Sequence, residues 1–371
     1  MGSEMLLYGY GLVCMSMLAF NIVYLFGLKK KNTRLEKSQD RFAAKVNCQL
    51  ERIQNGQPVE NRHMSYLRRR LTHVGNLIAF DKLLTERLEG KHNAAASEYL
   101  RQIQPLILYL AVVYRDRSDM QAAFYCYFLS KHREKRHMAV DTVQDILVGF
   151  MDKESLYCRV NALQALYRFG DPEHIAAAVS LLDQKGRFFH EKLLTDGLLT
   201  FTGDHGRLIA LLLEQFDGFS NLTKLAILNY IRFQSGDYCP WMMGILEDSG
   251  SDKELRLAAV RYFGRYVYEP AKPALIALTV DKDPLRWEYA SVAASSLAGY
   301  KGDDVVDALM AAVYSSNWYV RGNAAASLDA HHLSYADLAE IMGGNDRYVR
   351  EMMMYYLELR SITQESREAT S

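Results

Sequence analysis

Proline is scarce in this chain, seven in 371 residues, and cysteine is scarcer, five with no Cys-x-x-Cys pair. With 23 glycines and 49% hydrophobic residues, the composition excludes collagen-like, mucin-like and wholly disordered classes. An odd set of unpaired cysteines argues against a disulfide framework and fits a reducing compartment. An excess of one charge is missing too: Lys+Arg and Asp+Glu both total 44, so nothing global marks a nucleic-acid binder. The motifs of common chemistries are absent as well. There is no G-x-x-x-x-G-K-[ST] phosphate loop, no G-x-S-x-G elbow, no H-E-x-x-H and no cysteine pair at zinc spacing. No useful length alternates apolar and polar residues as a strand would, so the expected class is all-α.

What is present begins with a long uncharged run, Met5 to Leu28. Its 24 residues at helical rise give about 36 Å, enough to cross a hydrocarbon core of about 30 Å. Tyr8, Tyr10 and Tyr24 lie near its two ends, the depths aromatic rings favour. A cleavable signal would need a basic leader, a shorter apolar stretch and a small-residue cleavage site. Here Glu4 precedes the run, and Lys29, Lys30 and Lys31 stand where cleavage would occur. The run therefore reads as a retained signal anchor over residues 1–28. Gly2 suggests myristoylation, but Leu6 occupies the position that motif reserves for Ser or Thr. Basic residues follow the span and none precedes it, so the positive-inside rule expects a single-pass cell-membrane protein with the amino terminus outside and the body cytoplasmic.

The charge balance conceals a segregation. Residues 29–72 hold twelve basic and four acidic side chains, net +8, and the residues beyond them carry net −7. This segment reads as a basic juxtamembrane stalk that could prolong the membrane helix to about Ile53, before Asn55-Gly56-Gln57-Pro58 breaks it. Lys29, Lys30, Lys31 and Arg34 are its membrane-proximal charges, suited to anionic lipid head groups, an attraction that decays within about 8–10 Å.

From about Asp145 the chain repeats. Phe169-Gly170-Asp171, Thr202-Gly203-Asp204, Ser235-Gly236-Asp237 and Lys301-Gly302-Asp303 each close an apolar helix, the first three glycines 33 residues apart and the last after a double interval of 66. A second pattern opens the following helices: Asp252-Lys-Glu-Leu-Arg256, Asn317-Trp-Tyr-Val-Arg321, Asp346-Arg-Tyr-Val-Arg350 and the shorter Asp283-Pro-Leu-Arg286. Asp and Asn suit helix N-caps, and Pro172 and Pro284 hold the favoured first helical position. Small residues interleave with larger apolar ones at helical spacing, as in Ala162, Leu163, Ala165 and Leu166.

These features resemble the HEAT-like repeat family, in which an Asp…Val-Arg turn joins two helices of each unit. The resemblance covers about residues 140–360, with Lys192 and Lys224 at the arginine position of two looser units. It implies a right-handed α-solenoid of helical hairpins behind one transmembrane helix. The second helices, about 156–169, 188–202, 221–234, 253–267, 285–299, 318–330 and 347–360, would line the concave surface. Residues 73–139 read as a helical cap of degenerate repeats (Asn76–Leu88, Ala94–Arg115 broken near Pro105, Met120–Lys131), and 361–371 as a polar tail.

Within that frame the chemistry is thin. HEAT-like hydroxylases use repeated His-Glu dyads as iron ligands, whereas His190-Glu191 stands alone here. Glycosylases of this architecture need a basic groove, which a net −7 body does not offer. The histidines cluster only at His331-His332 and His132…His137; the pair His331-His332, at a repeat boundary, reads as turn and surface, and Cys126, Cys158 and Cys239 read as small buried hydrophobes. No catalytic residue, cofactor or metal is expected. Candidate protein-binding residues are Arg286, Trp287, Trp318, Tyr319, Arg321, Tyr348 and Arg350, types enriched in binding hot spots. The competing reading gives the arginines to an Asp–Arg ladder and the rings to inter-layer packing. The function expected is a membrane-anchored scaffold that holds a membrane-associated protein partner and binds no nucleic acid. It resembles bacterial single-pass HEAT-repeat proteins that accompany envelope-polysaccharide glycosyltransferases. A HEAT-like lyase or other enzyme subunit is the alternative, which would require a pocket of convergent polar groups. A eukaryotic organelle adaptor is a third reading.

Overall fold

In the computed structural model, residues 2–88, 93–132, 141–334 and 336–368 are described. Every regular element among them is a helix, and no strand occurs. Two compact units result, Met1–Arg187 with Phe201–Asp204, and Phe188–Thr200 with His205–Ser371.

The first unit opens with α1 (Gly2–Gln54), a single 53-residue helix. Its stretch Gly9–Gly27 is long and apolar enough to cross a membrane, and none of it is buried against protein. The carboxyl half of α1 is not a free stalk. Phe42, Val46 and Leu50 are buried, because their four-residue spacing puts them on one face. That face packs on α3 (Val74–Leu88) and α4 (Asn93–Gln102), while α2 (Asn61–Arg70) folds back beside it. The basic segment 29–72 thus belongs in large part to the folded unit. Its amphipathic spacing decided this: of its described charged side chains Arg52 is half-buried and the others are exposed. The break expected near Pro105 falls at Ile103, between α4 and α5 (Gln104–Arg115), with the proline in the first turn where its missing N–H costs nothing.

Next come α6 (Asp119–Lys131), α7 (Asp141–Gly149), α8 (Leu156–Phe169) and α9 (Pro172–Gln184). Buried tyrosines join these layers. Tyr114 and Tyr125 stack at 5.0 Å and donate to the carbonyls of Leu71 and Ile107, each at 2.7 Å. Tyr99 meets the buried ring of His63 at 2.7 Å, and His132 meets Asp81 at 2.6 Å. Gly170 closes α8 at φ 77°, a left-handed position that glycine takes without strain. Gly203 passes so close to the Gly170 carbonyl and the Phe201 ring that no β-carbon fits there.

The second unit is a succession of helices: α10 (Glu191–Leu199), α11 (His205–Glu214), α12 (Asn221–Gln234), α13 (Cys239–Glu247), α14 (Lys253–Arg265), α15 (Lys272–Thr279), α16 (Trp287–Ser296), α17 (Asp303–Ala312), α18 (Trp318–Ala330), α19 (Ala339–Gly343) and α20 (Arg347–Glu368). A helix occupies each of the spans expected for second helices, α10 starting three residues late because His190 caps it and ending at Leu199. The polar tail expected from 361 onward is helical as far as Glu368, since no glycine or proline interrupts α20.

In this unit α10, α12, α14, α16, α18 and α20 pack each on the next. Their side chains bond across at intervals near the sequence period. Thr195 donates to the Ala226 carbonyl, Ser296 to Val260, Asn323 to Ser291 and Ser327 to Ala294, all within 3.0 Å. Amino ends meet amino ends through Lys253–Glu288 and Arg321–Asp346, and carboxyl ends meet through His331 and the Leu297 carbonyl. The helices are therefore parallel and level, so residues at equivalent repeat positions share one rim.

Candidate functional site: an aromatic rim

The rim is built by the turns that open these helices. Asp252, Asn317 and Asp346 cap α14, α18 and α20, accepting from the backbone N–H two residues on at 2.8, 2.9 and 3.0 Å. Asp283 does the same for Leu285 at 2.9 Å. Three residues after each cap of the full-length pattern an apolar side chain enters the core, Leu255, Val320 or Val349. Four after it comes the arginine, which turns back on its own hairpin. Arg256 donates to the Leu246 carbonyl at 3.1 Å, Arg321 to that of Ser315 and Arg350 to that of Gly344. These carbonyls lie at or beyond a helix end, where no intrahelical partner exists.

Two of the expected contact residues are therefore committed to structure. Arg321 is further bound to Asp346 of the next hairpin at 3.1 Å, one rung of the Asp–Arg ladder. Arg286 differs: it is exposed, pairs with Asp281 at 2.9 Å and lies over the Tyr289 ring, as Arg256 also does. The same device occurs in the first unit, where sequence reading missed it. Ser155-Leu-Tyr-Cys-Arg159 opens α8, and Arg159 donates to the carbonyls of Lys153 and Glu154 at 2.6 and 2.8 Å. Serine for Asp and cysteine for Val hid the pattern, although serine is also a capping residue and cysteine a small hydrophobe.

The aromatic residues have a different fate. Trp318, Tyr319 and Tyr348 are 63, 64 and 67% exposed, and Leu285 is 86% exposed. Trp287 is half-buried and stacks on Tyr319 of the next helix, centroids 5.4 Å apart and planes at 25°. The structure thus brings Trp287 and Tyr319 together, with Trp318 exposed beside them at the start of α18, and sets Tyr348 one hairpin further along the same edge.

Towards α12 the rim continues into a groove of about 790 Å³ between the turns before α12 and α14. Trp241 meets Phe216 edge-on at 4.9 Å, with Lys224 over the same Phe216 ring. Asp217, Asp248 and Asp252 line the opening. Asp248 accepts from the Ser251 hydroxyl at 2.7 Å and the Gly250 N–H at 2.9 Å, bonds that hold its carboxyl below the usual carboxylate range. Such a group is ionised at neutral pH. It offers a negative contact for a cationic side chain and no proton for acid catalysis.

Elsewhere the expected bland readings can be placed. Cys126 and Cys158 are buried and Cys239 is half-buried. His331 bonds a backbone carbonyl in the turn after α18, and His137 lies outside the described residues. Glu191 accepts from Asn229 at 3.0 Å. Among the described residues no group of three His, Cys, Asp or Glu is placed to hold a metal ion. Lys29 and Lys30 are exposed just beyond the apolar stretch, while the side chains of Lys31 and Arg34 lie outside the described ones. No protein-family model matches the chain, and no curated protein matches its sequence.

Proposed function

We propose that this protein is a membrane-anchored scaffold. A right-handed α-solenoid of HEAT-like hairpins holds a protein partner along the aromatic rim, and the α1 apolar stretch confines that rim to the cytoplasmic face of a membrane. The observation that carries the reading is the chemical split within one repeated turn. The arginines close the hairpins, whereas Trp318, Tyr319 and Tyr348 are left in solvent on a framework that already satisfies its own backbone. Rigid, exposed aromatic rings on a packed edge lose little entropy on binding and supply the residue types that dominate hot spots. Anchoring raises the effective concentration of the rim towards membrane-associated partners. A membrane enzyme of envelope-polysaccharide synthesis is the partner class that the family resemblance suggests.

The test is site-specific photo-crosslinking in native membranes from positions 319 and 348, with an exposed position on α9 as control. A partner that crosslinks from the rim alone, and whose crosslink from position 348 is lost in Trp287→Ala/Tyr319→Ala with the fold intact, supports the proposal. Crosslinking that is equal from rim and control, or turnover of a small substrate by the purified chain, overturns it.

A further inference from the structure

We propose that the carboxyl end of α2 is an anionic-phospholipid site, in which Arg68, Arg69 and Arg70 join Lys29, Lys30, Lys37 and Arg41 of α1 in a basic collar seated on acidic head groups. The inference rests on the reading of α1 as a membrane span.

Measured along the chain, the three arginines are remote from that span. Arg68 follows Gly27 by 41 residues, about 60 Å if the helix simply continued. The fold cancels that distance. The turn at Asn55–Val59 reverses the chain, and α2 runs back down α1 in a register that side-chain contacts define. Glu60 lies level with Gln49 and Arg52: its N–H donates to Gln49 Oε1 at 2.9 Å, and its carboxylate pairs with Arg52 at 3.2 Å. Tyr66 lies level with Phe42, centroids 5.7 Å apart, and under the Lys45 ammonium at 4.5 Å. The Arg70 carbonyl accepts from Asn76, whose side-chain oxygen accepts from Ser38 at 2.9 Å. The end of α2 thus reaches the level of Ser38.

Ser38 is eleven residues beyond Gly27 on an unbroken helix, about 16 Å. The head-group layer takes up about 5–8 Å of this on each side of a bilayer. What remains is close to the screening length of about 8 Å at physiological ionic strength, so charges at this level feel an anionic surface. No glycine or proline lies between Leu28 and Gln54 to let the unit swing away.

The chemistry of the collar matches that surface. Arg68, Arg69 and Arg70 are all exposed, and among the described residues none of them pairs with a carboxylate. Arg68 is held in place by stacking its guanidinium over Tyr109 at 4.2 Å. On the α1 turns flanking Ser38 the acidic side chains are Glu36 and Asp40, both exposed, and Glu86 of α3 is engaged by the Gln39 amide at 2.9 Å. Planar guanidinium forks suit phosphate oxygens, to which they can donate twice.

The experiment uses the full chain in nanodiscs of phosphatidylcholine, alone or with one third phosphatidylglycerol. Arginines are footprinted with phenylglyoxal and read by mass spectrometry. Modification of Arg68, Arg69 and Arg70 should fall about fivefold in the anionic bilayer and recover in high salt, with exposed Arg347 unchanged. In a second arm, detergent-extracted Arg68→Gln/Arg69→Gln/Arg70→Gln should retain less phosphatidylglycerol than the wild type, and the corresponding triple lysine variant should keep most of it. Equal arginine modification in the two bilayers overturns the collar and leaves the span intact. Failure of the chain to enter either bilayer overturns the span reading, and the collar with it.

Discussion

The stacked helices of residues 205–368 carry the same kinds of ring at their two ends under opposite conditions. At the amino ends Trp318, Tyr319 and Tyr348 stand in solvent, while at the carboxyl ends Tyr230, Tyr262 and Tyr300 are completely buried. The buried set has defined work. The Tyr262 hydroxyl donates to the Ser235 carbonyl at 2.9 Å and accepts from the Tyr238 N–H at 3.1 Å. Tyr300 repeats this with Phe263 and Tyr268, each at 3.2 Å. Each ring fills the space between layers; the hydroxyls of Tyr262 and Tyr300 satisfy the backbone where one hairpin passes to the next, while that of Tyr230 meets the His205 ring at 2.6 Å. Among the described residues the exposed set bonds no equivalent backbone, because caps and arginines already serve the turns beneath it. Residue type therefore does not separate core from solvent-exposed surface in this protein. Position within the hairpin does.

The largest effect that tests this contrast is expected at the buried end. Tyr300→Ala removes a packed ring and should cost about 3–5 kcal/mol, read as a fall in the denaturant midpoint. Tyr300→Phe keeps the ring and leaves the Tyr268 N–H and the Phe263 carbonyl short of a partner, a loss of about 1–3 kcal/mol. A neutral Tyr300→Ala would mean that these rings do not join the layers.

The first unit offers a sharper version, in which a buried tyrosine depends on a histidine. His63 contacts Tyr99 at 2.7 Å, and burial, with Lys45 adding to it, lowers its pKa from 6.5 to about 4. A folded-state pKa below the unfolded one means the fold favours the neutral ring. That stability is fully present above pH 6.5 and is lost progressively as the pH falls towards 4. The loss is on the order of 3 kcal/mol for a buried group at about 1.4 kcal/mol per unit. Unfolding followed across that interval should show it in the wild type, while His63→Gln, already destabilised at pH 7, should lose most of the slope. An unchanged slope in the variant would remove His63 from the account.

Much of this architecture was legible in the sequence because its causes are local. Asp252, Asn317 and Asp346 announce helix starts through capping, a chemistry that needs only the next three residues. Gly170 announces a helix end for the same reason. Features that depend on a partner remote in the chain were not legible. Phe42, Val46 and Leu50 do have helical spacing, yet the surrounding lysines and arginines make the segment read as a solvated stalk until α3 and α4 are seen to cover it. The groove beside Trp241 belongs to two successive turns and to neither alone. The Trp287–Tyr319 stack lies between these cases. Its residues occupy the same edge of consecutive repeats, so their neighbourhood was legible, but not their contact.

The arginines give the next test, smaller and within a single residue type. Arg321 serves the Ser315 carbonyl and Asp346 together, and charged hydrogen bonds of this sort contribute about 1.5–3 kcal/mol. Arg321→Ala should therefore lower stability by that amount. Arg286→Ala removes a pair open to water and should cost about 0–1 kcal/mol. Equal losses at the two positions would contradict the division between closing arginine and exposed arginine.

The smallest expected change is the most informative about function. Trp318→Ala/Tyr348→Ala removes two rings whose faces are mostly in solvent, so unfolding free energy should move by no more than about 1 kcal/mol. If the rim binds a partner as proposed, the same variant should lose about 30-fold or more in affinity for whatever protein crosslinks at position 319, the loss expected when hot-spot rings are truncated. Stability and binding then respond in opposite order at the two ends of the stacked helices: Tyr300→Ala lowers the denaturant midpoint, whereas Trp318→Ala/Tyr348→Ala releases the partner from a protein of nearly unchanged stability. A double variant that melted as readily as Tyr300→Ala would place the exposed rings in the core after all, and the contrast between the two ends would be lost.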